Sequence, residues 1–130
     1  MKLTKTEIKK ICEEYDLGKI KRVIYLKEGM ISHLFIFKTD NGEFMVKKLG
    51  YSLNDKYWAG QKRIEFGVLE HLHKKNFPYS IPQFMKNKKD EYILKIGKSL
   101  FEACPRISGR KLVKLNDNGW KEMAKAMALY

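Results

Sequence analysis

The sequence contains little cysteine and little proline, and it lacks any long hydrophobic run. The two cysteines, Cys12 and Cys104, are too few and too isolated for a disulfide framework or a zinc site. The longest uninterrupted apolar run, residues 126–130, is far too short to cross a bilayer, and the first twelve residues lack the apolar segment of a signal peptide. We therefore expect no membrane partner and a reducing, cytoplasmic setting.

Acidic residues are also scarce relative to basic ones. The 130 residues include 27 Lys and Arg against 15 Asp and Glu, a net charge of +12, which attracts anions such as nucleotides, nucleic acid, acidic lipid or an acidic partner domain. The positive residues are spread along the whole chain and form no dense run of the kind found in nucleic-acid-binding arms. The composition is that of one globular domain whose core needs no disulfide or metal.

The patterns that are present predict an α+β fold. Thr4 and Glu7 have the spacing of a helical capping box, and apolar residues then recur at helical intervals as far as Gly18. Strands are predicted over 19–27, 34–39 and 43–49, a long helix over 55–75, further strands near 91–96 and 100–104, and a last helix from Asp117. Asp40-Asn41-Gly42 is a strong signal for a tight hairpin. The expected architecture is a five-stranded antiparallel sheet with one long packed helix, an N-terminal helix and a truncated C-terminal helix.

The last predicted helix has an apolar stripe and no recognisable end. The stripe comprises Trp120, Met123, Ala124 and Met127, yet no Gly, Pro or polar cap follows it before Tyr130. The helix either packs on this domain as a terminal brace or leads into a second domain that receives the stripe. We expect the second arrangement.

Lys47 and Glu65 are the first candidate site residues. In a strand, Lys47 shares a face with Met45 and Leu49, which is the apolar side. Glu65 lies within the apolar stripe of the long helix, where a carboxylate needs a cation or hydrogen-bond donors because burying it unpaired costs several kcal/mol. The spacing favours a Lys47–Glu65 ion pair, the device by which kinase-like enzymes hold a lysine against nucleotide phosphates. A surface glutamate beside ordinary lysines fits the same spacing equally well.

The loop between the first two predicted strands is the second candidate. Gly29 at its tip can bring backbone N–H groups close to phosphates, and Ser32 and His33 add side-chain donors. A single glycine at a hairpin tip is usually only a turn. The sequence contains neither GxxxxGK[ST] nor GxGxxG, which excludes the standard P-loop and dinucleotide fingerprints. No metal site is expected, since His71 and His73 point in different directions on a helix.

The order of these motifs resembles the N-terminal lobe of the aminoglycoside phosphotransferase and choline kinase superfamily, which has a protein-kinase-like fold. That group includes homoserine-kinase-like and spore-coat kinase-like proteins. The resemblance covers nearly the whole chain, and its motifs are Gly29 to His33, Asn41-Gly42, Phe44 to Lys47, Glu65 to Leu72, Ile81-Pro82 and Ile107 to Arg110.

The resemblance implies an ATP-binding lobe over residues 1–107. Lys47 would contact the α and β phosphates, Glu65 would orient Lys47, and the 29–33 loop, with Gly29, Ser32 and His33, would cover the phosphates. The backbone of the linker from Ala103 through Cys104 to Arg106 would meet the adenine edge, although Pro105 removes one N–H there. Residues 108–130 would form a linker and the start of a helix that leads to a C-terminal lobe absent from this chain.

The chain contains no H-x-D-x-x-x-x-N catalytic loop and no later metal-binding Asp, so no catalytic residue is assigned and Mg²⁺ is expected only in a two-lobe protein. Alone, the lobe would be inactive and would bind ATP weakly or not at all. Two alternatives stay open at this stage. One is a non-catalytic basic module that binds nucleic acid or a protein partner, and the other is a degenerate kinase-like structural protein.

Overall fold

The computed structural model describes residues 2–26, 32–50, 56–109 and 116–129. The elements follow one another along the chain as α1 (Lys5–Glu14), β1 (Ile20–Leu26), β2 (His33–Thr39), β3 (Gly42–Leu49), α2 (Lys56–Lys74), β4 (Leu94–Ile96), β5 (Ser99–Pro105) and α3 (Asp117–Leu129). The five strands form one antiparallel sheet in the order β1-β2-β3-β5-β4. The predicted α+β class and five-stranded antiparallel sheet are therefore confirmed.

The hairpin between β2 and β3 turns where the sequence predicts it. Gly42 has a φ of 130°, a left-handed conformation that a side chain would strain. Thr39 pairs with Gly42, and its hydroxyl accepts a hydrogen bond from the Asn41 N–H at 3.1 Å. The turn thereby fixes which residues of β3 face each side of the sheet.

Strand β4 is shorter than the predicted 91–96 because Asn87 takes up the backbone groups that would have extended it. The Asn87 side chain accepts from the Glu91 N–H at 3.1 Å and donates to the Ile93 carbonyl at 3.2 Å. Its own N–H donates to the Glu91 carbonyl at 2.8 Å. Pairing with β5 therefore starts only at Leu94.

One face of the sheet packs against α1 and holds the main core. Thr4 and Glu7 form the predicted capping box at the start of α1. The Tyr15 hydroxyl donates to the carbonyls of Tyr92 and Phe101, at 2.7 and 3.0 Å, and joins the end of α1 to the far strands. The buried side chains of this face are Ile11, Tyr15, Leu17, Phe35, Phe37, Phe44, Val46, Leu94, Phe101 and Ala103. Each large apolar side chain buried there contributes about 1.5–3 kcal/mol.

The opposite face of the sheet looks towards α2. Helix α2 packs against the segment that connects it to β4 through Phe66, whose ring packs edge-on against Phe84 and is stacked on Tyr92. Glu70 of the same helix accepts a hydrogen bond from the Tyr92 hydroxyl. Between these contacts and β3, the helix and the sheet leave an open space.

Helix α3 carries its apolar stripe on the outside. Trp120, Met123 and Met127 expose 56%, 41% and 71% of their surface, so the helix does not bury the stripe as a brace against the rest of the described chain. Residues 110–115 lie outside the described residues. Within the described ranges, no helix is both long enough and apolar enough to cross a membrane.

Candidate functional site

A cavity of about 720 Å³ separates the second face of the sheet from α2. The sheet contributes Lys47 and Leu49, and the segment after α2 contributes Ile81 and Pro82. Ser32, immediately before β2, also lines the cavity. The helix supplies Tyr57, Trp58, Gln61, Lys62, Ile64, Glu65, Val68 and Leu69. Two cations and one carboxylate therefore line a cavity whose other walls are largely apolar.

Lys47 is paired with Glu102 of β5. The two residues lie directly opposite each other in the β3–β5 ladder, and the Lys47 Nζ is 3.4 Å from Glu102 Oε1. The predicted direct pair with Glu65 is wrong, because Glu65 Oε2 instead lies 2.8 Å from Lys62 Nζ. Glu65 is also less buried than its helical position predicts, with 41% of its side chain exposed. It nevertheless lines the same cavity as Lys47.

Lys62 joins the helix to the sheet. Its Nζ donates to Glu102 Oε1 at 2.8 Å as well as pairing with Glu65, and only 11% of its side chain is exposed. The ammonium also lies 5.6 Å from the ring centroids of both Phe66 and Phe84, within cation–π range. Burial lowers the pKa of Lys62, but the two carboxylates outweigh burial, and the pKa stands above its ordinary value. Lys62 is therefore positively charged at neutral pH, and its ion pairs with Glu65 and Glu102 fix the position of the ammonium group.

Glu102 is the carboxylate at the centre of this ion-pair cluster. Only 1% of the residue is exposed, and its Oε1 receives both lysines. Its Oε2 is buried without a hydrogen-bond partner among the described residues. Sequence reasoning missed Glu102, although it is the one charged residue within the predicted strand 100–104. Only the pairing of β3 with β5 places it opposite Lys47.

A second, apolar cavity of about 290 Å³ lies on the same face, beside the first. Its lining includes Met45 of β3 and Cys104 of β5, which are cross-strand partners, and Pro82 contributes to both cavities. Burial raises the pKa of the Cys104 thiol to about 11, with Glu102 adding to that rise and Lys47 opposing it, so the thiol is protonated at neutral pH. The remaining lining residues are Leu26, Ile36, Pro105, Arg106 and Ile107.

The other predicted site residues are divided between the two faces. His33 pairs with Lys48 across β2 and β3, and its Nδ1 is 3.0 Å from the Tyr25 hydroxyl, which places it on the side away from Lys47. Ala103 faces the main core, and its carbonyl accepts from the Met85 N–H at 2.9 Å. Gly29 lies outside the described residues.

The backbone N–H of Arg106 already has a hydrogen-bond partner. That N–H donates to the Glu43 carbonyl at 3.0 Å, and the guanidinium pairs with the Glu43 side chain. A ligand in the apolar cavity would therefore meet this N–H already bonded to β3.

No metal centre is formed by the described part of the chain: no group of three or more His, Cys, Asp or Glu side chains is arranged to hold an ion. His71 and His73 are both exposed on α2. The His73 Nε2 lies 3.4 Å from the Pro82 carbonyl.

Comparison with known proteins adds no family to this description. No protein-family model matches the chain, and no curated protein matches it with significant similarity.

Proposed function

We propose that this chain is the nucleotide-binding lobe of a small-molecule phosphotransferase, related to the aminoglycoside phosphotransferase and choline kinase superfamily. The sheet order, with a long helix between β3 and β4 that stands over the lysine of β3, supports the resemblance stated from the sequence. The division into a lobe over 1–107 and a following linker and helix over 108–130 is part of the same proposal.

One observation carries the proposal: an apolar cavity and a cationic cavity lie side by side on one face of the sheet. Met45 lines the first and Lys47 lines the second, two residues apart on β3, so the cavities follow each other along the strand at roughly 7 Å. A nucleotide has the same order of chemistry, with a flat apolar base at one end and phosphates at the other. Phosphates favour lysine ammonium groups, and a base favours an apolar slot.

In the proposed reaction, ATP transfers its γ-phosphoryl group to a hydroxyl of a small substrate. Lys47 neutralises phosphate charge and holds the nucleotide, which is a positioning and electrostatic role. The catalytic base and the Mg²⁺ ligands would come from a second lobe or another chain, because the catalytic-loop motif is absent from this sequence. This chain alone would bind ATP without turning it over.

Replacing Lys47 by alanine tests the role of the cationic cavity. We expect Lys47→Ala to weaken ATP binding at least about 10-fold, which corresponds to about 1.4 kcal/mol. ATP titrations followed by NMR suit the weak binding expected of one lobe. Lys48→Ala is the matched control, since Lys48 is the next residue on the same strand but lies on the opposite face, 3.5 Å from Glu7.

The proposal fails if wild-type protein shows no ATP-dependent shifts at millimolar ATP. It also fails if Lys47→Ala and Lys48→Ala weaken binding equally, because that result indicates general attraction to a basic surface.

A second candidate function is supported by the groove between α1 and β1. This groove, of about 570 Å³, has an apolar floor that includes Ile8 and Val23. Its rim is basic, with Lys5, Lys9, Lys21 and Arg22 against a single acidic residue, Glu13. Such a surface suits an acidic protein segment better than nucleic acid, because its floor is apolar. Retention on DNA or RNA that falls steeply with salt would instead favour the nucleic-acid alternative.

A further inference from the structure

The resemblance assigns no role to Lys62, although this lysine lines the same cavity as Lys47. The ammonium groups of Lys62 and Lys47 are bound to the same carboxylate oxygen, Glu102 Oε1, at 2.8 and 3.4 Å. The two nitrogens are therefore at most 6.2 Å apart, the sum of those distances. Both lysines line the same cavity. Ammonium groups no farther apart than this can both contact oxygens of one polyphosphate chain.

The two carboxylates around Lys62 differ in how easily a ligand displaces them. Glu102 is 1% exposed and belongs to the β3–β5 ladder, so leaving the lysines would strand a buried charge. Glu65 exposes 41% of its side chain, so water can hydrate its carboxylate when it leaves Lys62, and no buried charge is stranded. An arriving polyphosphate therefore displaces Glu65 and leaves Glu102 in place.

We propose that Lys62 is a second phosphate-binding cation of this cavity, that buried Glu102 holds it beside Lys47, and that Glu65 competes with the ligand for Lys62. The ligand class is a polyphosphate with at least two adjacent phosphates, and the nucleotide as its source rests on the proposed function. An ammonium group has three donor hydrogens. When Glu65 leaves, Lys62 keeps its bond to Glu102 and gains a phosphate oxygen. This assigns Glu65 a role opposite to the one predicted from the sequence.

The test uses inorganic tripolyphosphate as the probe and inorganic phosphate as the single-phosphate comparison, both titrated into the full chain by NMR. We expect Lys62→Met to weaken tripolyphosphate binding about 10-fold, with a much smaller effect on phosphate, because one charge-assisted contact is lost. Lys62→Arg keeps the charge and should retain binding. Lys74→Met, on the same helix but outside this cavity, is the matched control and should behave as wild type.

Glu65→Gln provides a test of opposite sign. We expect it to tighten tripolyphosphate binding about 3-fold, because it removes a competing surface carboxylate from Lys62. A positioning role for Glu65 on Lys47 requires the reverse, a loss of affinity. Glu13→Gln is the charge-matched control, since Glu13 is exposed on α1.

The outcomes separate this proposal from the proposed function. It is overturned if wild-type protein does not bind tripolyphosphate, if Lys62→Met binds it as wild type does, or if Glu65→Gln weakens binding. If Lys47→Ala weakens ATP binding and Lys62→Met does not, the nucleotide proposal stands and Lys62 has no part in it. If both lysines are needed for tripolyphosphate but ATP leaves the apolar cavity unperturbed, the phosphate site stands and the nucleotide proposal fails.

Discussion

At the scale of single residues, Glu102 governs the electrostatics of the candidate site. A buried carboxylate is costly unless cations and hydrogen bonds compensate for its lost hydration. Here, Lys47 and Lys62 supply that compensation from a neighbouring strand and from a helix. The arrangement is a poor way to gain stability, since apolar residues at the same positions would need no compensation. We infer that the two lysines explain why the carboxylate is there.

Glu102→Gln is expected to lower the free energy of unfolding by roughly 2–4 kcal/mol. The glutamine amide oxygen still accepts a hydrogen bond, but glutamine lacks the negative charge that pairs with the ammonium groups of Lys47 and Lys62. The loss of stability is smaller than that expected for breaking an isolated buried ion pair, because Lys62 retains its ion pair with Glu65. Urea denaturation measures the change, with Glu13→Gln as the control on an exposed pair. A loss no larger than that of the control would contradict the account of a buried, compensated charge.

At the scale of elements, α1 is fixed both by its own first turn and by β3. The Thr4 hydroxyl accepts from the Glu7 N–H at 3.0 Å, and the Glu7 carboxylate accepts from the Thr4 N–H at 3.1 Å. The same carboxylate lies 3.5 Å from Lys48 Nζ. Burial works to raise the pKa of Glu7, but the Thr4 hydrogen bonds and the Lys48 charge outweigh it and leave the pKa below its ordinary value.

Glu7→Gln is expected to reduce stability by roughly 0.5–1 kcal/mol at neutral pH, because Gln keeps the capping geometry but loses the charge. A pKa that is lower in the folded state than in the unfolded state stabilises the protein above the unfolded value. That contribution disappears as pH falls through the folded value. The difference between wild type and Glu7→Gln should therefore shrink as pH falls below the ordinary pKa of a glutamate and through the lower folded pKa of Glu7. Urea titrations between pH 7 and 3 measure it, and a difference that stays constant would contradict this linkage.

Most elements could be predicted because their signals are local. The Thr4 and Glu7 capping box, the Asn41-Gly42 turn and the alternation along β3 each depend on neighbours within a few residues. The short β4 could not be predicted in the same way. Its start depends on which backbone groups the Asn87 side chain captures, and several arrangements of that loop fit the same letters.

The site was harder to predict than the fold because its charges pair across elements distant in the chain. The sequence identifies Lys47 as the strand lysine on the α2 side and Glu65 as a residue of the cavity wall. It does not reveal which carboxylate each lysine meets. That choice depends on the position of β5 next to β3 and on the rotation of α2, which brings Lys62 to Glu102.

At the scale of the whole molecule, the sheet separates two environments. The α1 face holds the main core of aromatic and aliphatic side chains, whereas the α2 face has two adjoining cavities and a paired-cation cluster. The net charge of +12 adds a general attraction for anions on top of this local arrangement. A nucleotide that uses the α2 face should leave the α1 face undisturbed.

The most direct measurement is a titration with ATP of protein whose methionine methyl groups are labelled for NMR. Met45 lines the apolar cavity, and Met85 packs against the core of the opposite face, so the two methyl groups report on the two faces. We expect ATP to shift the Met45 resonance and to leave Met85 unchanged, and we expect tripolyphosphate, which has no base, to shift Met45 much less. Shifts at Met85 without shifts at Met45, or equal Met45 shifts with both ligands, would contradict the account.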